Sequence, residues 1–262
     1  MGILNITPDS FSDGELFNDP ERAVERALEM EAQGADIIDV GGESTRPNAT
    51  PVTEEDELKR VLPVVEKLAG KLKIPISIDT YKSTVAKESL LRGAEIVNDI
   101  SGFSFDPGMA EVVASMKAGV VLTHTSGRPA VMQQFTRYLC VTGAVISSLR
   151  ETISLALSLG IDENRIVIDP GIGFGKDTRG NLEILKNLRE FSVLGRPILV
   201  GTSRKGFIGS ILNRPVEDRI FGTAATAALA LVNGASILRV HDVKEMRDVA
   251  DMTTAILRAG LD

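Results

Sequence analysis

Apolar residues recur along this chain in short β-branched runs, each ended by a polar or glycine-rich break and followed by a stretch with helical spacing. The runs are "GILNI" (2–6), "DIIDVG" (36–41), "ISID" (76–79), "EIVNDI" (95–100), "VVLTH" (120–124), "RIVID" (165–169), "ILVGT" (198–202) and "ILRVH" (237–241). Continuous Val/Ile/Leu character, rather than alternation with polar residues, predicts parallel strands buried on both faces. Helix signals fill the intervals. Asp19 and Pro20 read as an N-cap and first helical position, and Gly34 as the stop after "ERAVERALEMEAQ". Beyond Thr53, Leu58, Val61, Leu62, Val65 and Leu68 recur on one helical face. Asp242 with Glu245 has the spacing of a capping box. Strand then helix, repeated eight times, predicts an α/β fold of the (β/α)₈ TIM-barrel type, with residues 1–262 as one domain. A doubly wound open sheet is the alternative, and the count of eight favours the barrel.

A barrel places its chemistry at the strand C-termini. Those ends carry Asn5, Asp39, Asp79, Asn98 with Asp99, His124, Asp169, Ser203 to Lys205, and Arg239 with His241. Any one of these is an ordinary loop cap; a polar residue at every strand end is a site. Acids and amides (Asp79, Asn98, Asp169) end strands 3, 4 and 6, while cations (Arg46, Arg204, Lys205, Arg239, with His241) follow strands 2, 7 and 8. Loops 7 and 8 are where barrels most often bind phosphate, and "GTSRKG" before a helix adds N–H donors there. Two carboxylates and an amide suit a ring rich in N–H donors. One ligand with such a ring at one end and phosphate at the other satisfies both halves.

Other uses of these residues remain open. Lys205 could form a Schiff base, with Arg204 helping to lower its pKa, or pair with Asp169 and stay charged. His124 and His241 could act as acids or bases, although His124 reads better as a buried structural residue. "GIGFGKDTRGN" (171–181) lacks the spacing of a nucleotide loop and reads as a tight strand-to-helix turn. Cys140 has no neighbouring base and reads as inert.

Composition narrows the classes. A net charge of −7 argues against non-specific nucleic-acid binding. One cysteine excludes an intrachain disulfide, and with two histidines leaves too few soft ligands for structural zinc. The longest apolar stretch, "GTAATAALALVNGASIL", carries Thr, Asn and Gly and is too short to span a bilayer. No signal peptide precedes the first strand, so a cytoplasmic protein is expected.

Seven motifs, in order and across nearly the whole chain, carry a family resemblance: "MGILNITPDSFSDG", "DIIDVGGESTRP", "ISIDTYK", "IVNDISG", "IDPGIGFGK", "LVGTSRK" and "ILRVHDV". The set resembles the dihydropteroate synthases, a branch of the pterin-binding barrels. The resemblance implies condensation of 7,8-dihydropterin-6-ylmethyl diphosphate with 4-aminobenzoate to 7,8-dihydropteroate and diphosphate, with Mg²⁺. It implies that Asp79, Asn98, Asp169 and Lys205 hold the pterin, with Phe174 also at the substrate, and that Arg239 stacks on the ring. Asn5, Arg239 and His241 meet the diphosphate, Asn5 also as the Mg²⁺ ligand. Thr45, Arg46, Pro47 and Ser203 surround the aminobenzoate, where sulfonamides compete in this family. Lys205, Arg239, His241, Arg46 and Phe11 are the residues expected to carry catalysis. Thr123-His124-Thr125 stands where the family commonly has Met-His-Met.

The polar loops "TPDSFSDGE" and "GGESTRPNATP" suit segments that order over substrate and keep water from a cationic intermediate, with Phe11 over the aminobenzoate ring. The family implies a homodimer through the later helices. Two other readings stand beside the transferase: a pterin-dependent methyl carrier enzyme, and a pterin binder without catalysis.

Overall fold

The computed structural model describes residues 1–7, 20–45 and 49–260. Each apolar run forms a strand: β1 (Gly2–Asn5), β2 (Ile38–Gly41), β3 (Ile76–Asp79), β4 (Ile96–Asp99), β5 (Gly119–Thr123), β6 (Ile166–Asp169), β7 (Leu199–Val200) and β8 (Ile237–Leu238). β1 to β6 pair side by side in chain order, β7 pairs with β8, and every pairing is parallel. Two bridges close the ring, Ile168 with Ile198 and Gly2 with Val240. Around the second, Ile3 N donates to Val240 O at 2.9 Å and Val240 N to Met1 O at 3.0 Å. An open sheet would leave β1 without a link to β8. The structure is a barrel.

The helices that follow are α1 (Pro20–Ala32), α2 (Glu54–Ala69), α3 (Ser83–Leu91), α4 (Met109–Met116), α5 (Val141–Ser158), α6 (Thr178–Lys186), α7 (Gly206–Leu212), α8 (Ile220–Val232) and α9 (Val243–Arg258). α1 stops two residues before Gly34, and Thr53 caps α2 by accepting from Asp56 N at 3.2 Å. Asp19 lies outside the described residues. The capping box at α9 does not form. Asp242 makes no side-chain cap bond, because its carboxylate is taken by Arg204 from the neighbouring loop.

Alternation along each strand sorts side chains into two sets. Val40, Ile78, Val97, Leu122 and Ile168 join the large apolar layer beneath the helices, buried with helix residues such as Val65, Val85 and Leu149. Val121, Val167 and Leu199 belong to a separate small cluster with Met1, Ile96 and Ile237. Val121 and Val167 share their strand faces with Thr123 and Asp169, so this cluster is the floor on which the polar mouth rests. No helix among the described residues is long and apolar enough to cross a membrane.

Candidate active site

Register puts the strand-end residues in one layer. Asn5 lies opposite Gly41, Gly41 opposite Asp79, Asp79 opposite Asn98, and Thr123 opposite Asp169. They open on a cavity of about 930 Å³ at the strand C-termini. Its wall includes Asn5, Thr45, Asp79, Asn98, Asp169, Phe174, Ser203, Lys205, Arg239 and His241. Phe11, Arg46 and Pro47 lie outside the described residues.

The acidic and cationic sides of the mouth meet at Arg239, which belongs to both. Arg239 Nε donates to Asp39 Oδ2 and Nη2 to Asp79 Oδ2, both at 2.6 Å. Its charge is therefore shared with carboxylates from β2 and β3. Asp39, fully buried, also accepts from Asn98 Nδ2 at 2.9 Å. The sequence marked Asp39 as a strand end without a role; an acid inside the apolar run "DIIDVG" was the available signal. Burial works against the Arg239 charge, yet Asp39 and Asp79 hold its pKa above the usual range. Burial pushes the Asp79 carboxyl up to about 7 although Arg239 pulls the other way. Asp79 Oδ1 and Asp39 Oδ1 have no hydrogen-bond partner among the described residues. A buried acceptor without a donor costs free energy, and Asp79, unlike Asp39, lines the cavity, where a ligand can supply an N–H group.

Asp169 sits across the mouth. Its Oδ1 accepts from Gly171 N at 2.7 Å, and burial raises its pKa. Lys205 Nζ stands 4.5 Å from the Phe174 ring centroid, a cation–π contact. Burial first, then Arg239, push the Lys205 pKa down to about 8, with Asp169 and Asp79 opposing. Arg204 is not a cause; its guanidinium points to Asp242 instead. Ser203 Oγ and His241 Nδ1 are 2.9 Å apart, so Ser203 orients the imidazole besides lining the cavity.

The turn carrying Phe174 is organised by a lysine that sequence reasoning passed over. Lys176 Nζ, almost fully buried, donates to Gly171 O and Phe174 O at 2.9 Å and lies 3.0 Å from His124 Nδ1. Burial and Lys176 push His124 down to about 3, and the ring is buried beside Lys176, in keeping with the structural reading. Burial brings Lys176 itself down to about 7. Met132 is buried, lines the cavity and lies 3.9 Å from Thr125 Oγ1 through its sulfur. A polarizable thioether is thus present beside the pocket after all. Gly171 adopts φ +72°, and a Cβ there would lie 1.9 Å from the backbone oxygen of His124. Gly171→Ala is expected to destabilise the fold by about 3 kcal/mol, from left-handed strain and a clash with rigid backbone. Urea unfolding at pH 7 measures it.

Fold and site together define a barrel enzyme for a small ligand that offers N–H donors to buried carboxylates and an anion to cations. The Pterin binding enzyme family matches residues 1–241, and the chain belongs to the dihydropteroate synthases within it. Dihydropteroate synthase of Bacillus subtilis (strain 168) is 46% identical over 99% of this chain and 89% of its own length. The crystal structure of the Yersinia pestis dihydropteroate synthase with a sulfonamide drug complex superposes with TM-score 0.94 at 42% identity, covering 99% of this chain and 94% of that one. Dihydropteroate synthase from Xanthomonas albilineans in complex with 7,8-dihydropteroate gives TM-score 0.89 at 39% identity, over 98% and 92%.

Proposed function

We propose that this chain condenses 7,8-dihydropterin-6-ylmethyl diphosphate with 4-aminobenzoate, giving 7,8-dihydropteroate and diphosphate. The observation that carries this is the pairing, in one cavity, of the buried acceptors of Asp79 and Asp169 with the cations Lys205 and Arg239 and with His241. Asp79, Asn98 and Asp169 receive the N–H edge of the pterin, and Phe174 and Lys205 close on the ring. Ser203 and Thr45, with Arg46, Pro47 and Phe11, form the aminobenzoate side.

The bond from the pterin methylene carbon to oxygen breaks, and its electron pair leaves with diphosphate. The aromatic amine attacks the carbon and loses a proton. Negative charge gathers on the diphosphate in the transition state, where Arg239 and His241 stand, with the Lys205 charge close by at the ring. Fixed donors of this kind contribute about 3 kcal/mol each. The amine is neutral at pH 7, so no strong base is needed.

A divalent ion fits this site as a companion of the diphosphate. Among the described residues no group of three or more His, Cys, Asp or Glu side chains is placed to hold one. Asn5 offers one amide oxygen beside Gly41; the Asp79 oxygen near that glycine already accepts from Arg239. Mg²⁺ accepts such sparse protein ligation while it keeps waters and phosphate oxygens. When bound, it supplies charge neutralisation on the leaving group.

The test is direct. Purified protein with both substrates and Mg²⁺ should release one diphosphate for each dihydropteroate formed. Pterin binding without release of diphosphate would contradict the transferase and favour a binder; methyl transfer without diphosphate would favour the carrier enzyme.

The pKa of Lys205 gives a second check. At about 8, the lysine is protonated below that pH and neutral above it. If its charge supports the bound pterin diphosphate, kcat/KM falls as pH rises through about 8, since this parameter reports the free enzyme. Lys205→Met should lower the plateau and abolish that limb. A limb that survives the substitution belongs to another group.

The reading also takes the protein to be cytoplasmic and a homodimer. Support for the dimer comes from the later helices, where Phe221 and Leu229 of α8 and Met252 and Ile256 of α9 are exposed. α8 and α9 pack together, so these side chains share one side of the barrel. Apolar surface gathered in this way favours a partner.

A further inference from the structure

We propose that Arg204, although cationic and at the rim of the cavity, is a positioning residue: its left-handed backbone and its fork to Asp242 set Lys205 for the ring and His241 for the leaving group. Its own charge is spent on Asp242. The inference rests on the reaction proposed above.

Four non-glycine residues among those described have positive φ: Phe103, Lys117, Arg204 and Asn213. Lys117 and Asn213 are helix C-caps, an ordinary place for that conformation. Phe103 sits in a turn where its N–H and that of Ser101 donate to Asp99. Arg204, at φ +56°, stands between two residues that line the cavity, Ser203 and Lys205. Strained backbone persists only where the surroundings over-determine it.

Here the backbone N–H and C=O and two guanidinium nitrogens of the residue are held. Arg204 N donates to Oγ1 of Thr223, a fully buried residue of α8, at 3.0 Å. Arg219 Nη1 donates to Arg204 O at 3.0 Å. Arg219 is itself fixed by donating Nε to Arg214 O at 3.2 Å, and it lies against Gly209, where a Cβ would meet its Nη2 at 2.3 Å. The Arg204 guanidinium donates Nε to Asp242 Oδ2 at 3.0 Å and Nη2 to Asp242 Oδ1.

Two rungs result between consecutive residues of two loops, Ser203 to His241 and Arg204 to Asp242. The inner rung faces the cavity and orients the imidazole. The outer one is a bidentate fork, the geometry that holds direction as well as distance. The same Asp242 opens α9 without capping it, so the helix gives up a cap to make the fork.

Arg204→Gly, Asp242→Asn and the double variant decide the matter. Glycine keeps the left-handed turn and deletes the fork; asparagine deletes the acceptor charge and one of the fork's two acceptor oxygens. The readouts are kcat and KM for both substrates, and calorimetric titration with inorganic diphosphate in Mg²⁺, which does not depend on turnover. Each single variant should lower kcat about tenfold, as slight misplacement of catalytic groups does, and weaken diphosphate by a similar factor. The double variant should be no worse than either single one.

Were Arg204 to bind the diphosphate itself, Asp242→Asn would preserve or tighten diphosphate binding while Arg204→Gly loosened it. That result, multiplying effects, or unchanged kinetics would each overturn the proposal. If Arg204→Gly does not fold, Thr223→Val should reproduce the loss and Thr223→Ser restore activity. Equal activity of those two variants would also overturn it. Failure of the reaction itself would appear in the unsubstituted protein, as absence of turnover.

Discussion

Arg239→Met is expected to abolish most turnover, by about three orders of magnitude in kcat/KM, and to cost the fold about 3–5 kcal/mol, the usual penalty for removing one partner of a buried ion pair. The reason is that Arg239 has two tasks. It donates to Asp39 and Asp79 at 2.6 Å each, and both acids are buried, Asp39 completely. Without it, two carboxylates remain in the barrel mouth with no cation between them. Arg239→Lys should restore little, because a single ammonium cannot span two acceptors as a planar guanidinium does.

The pH dependence has a definite sign. Asp79 already has a pKa raised to about 7 with the arginine present, and its loss raises it further. A carboxyl whose folded pKa exceeds its unfolded one contributes most at low pH and loses that contribution as pH rises through the folded value. The variant should therefore lag the wild type more at pH 8 than at pH 5. Urea unfolding at both values measures this. An equal deficit at the two pH values would show that Asp79 stays ionised without its partner.

Asp169→Asn should lower kcat/KM for the pterin diphosphate about a thousandfold, roughly 4 kcal/mol, the scale of a site left with an unpaired or mispaired buried polar group. The Michaelis constant for the aminobenzoate should stay near its wild-type value. The amide can keep the bond from Gly171 N at 2.7 Å through its own oxygen. Its NH₂ then replaces an acceptor and meets a donor-rich ring with another donor. Because the replacement is isosteric, stability should change little, which separates this variant from Arg239→Met. Steady-state kinetics with each substrate varied in turn give the answer. A rise confined to the Michaelis constant for the aminobenzoate would place Asp169 on the wrong side of the cavity.

How much of this could be read beforehand differs between fold and site. The strands were legible because residues buried on both faces leave unbroken Val/Ile/Leu runs, and each of the eight runs is a strand. Closure was inferred only by counting, since nothing local announces that Gly2 meets Val240. The residues at the mouth were legible as strand-end positions. Their partnerships were not. Arg239 and Asp39 are 200 positions apart in the chain, and charge sign alone cannot tell a free cation from a neutralised one. Asp242 was misread for the same reason: its spacing to Glu245 fits a cap, but Arg204 competes for the carboxylate and wins with two donors. Lys176 carried no signal beyond a charged residue in a glycine-rich turn; its burial appears only when the turn folds over it.

The central claim is that one cavity receives the pterin ring on its carboxylates and the diphosphate on its cations. A crystal structure with a non-hydrolysable pterin diphosphate analogue and Mg²⁺ tests it most directly. The account predicts the ring's N–H edge within hydrogen-bond distance of Asp79 and Asp169, Lys205 on the ring, and the diphosphate at Arg239 and His241. A ring bound away from those two carboxylates, or a diphosphate turned toward them, would contradict it.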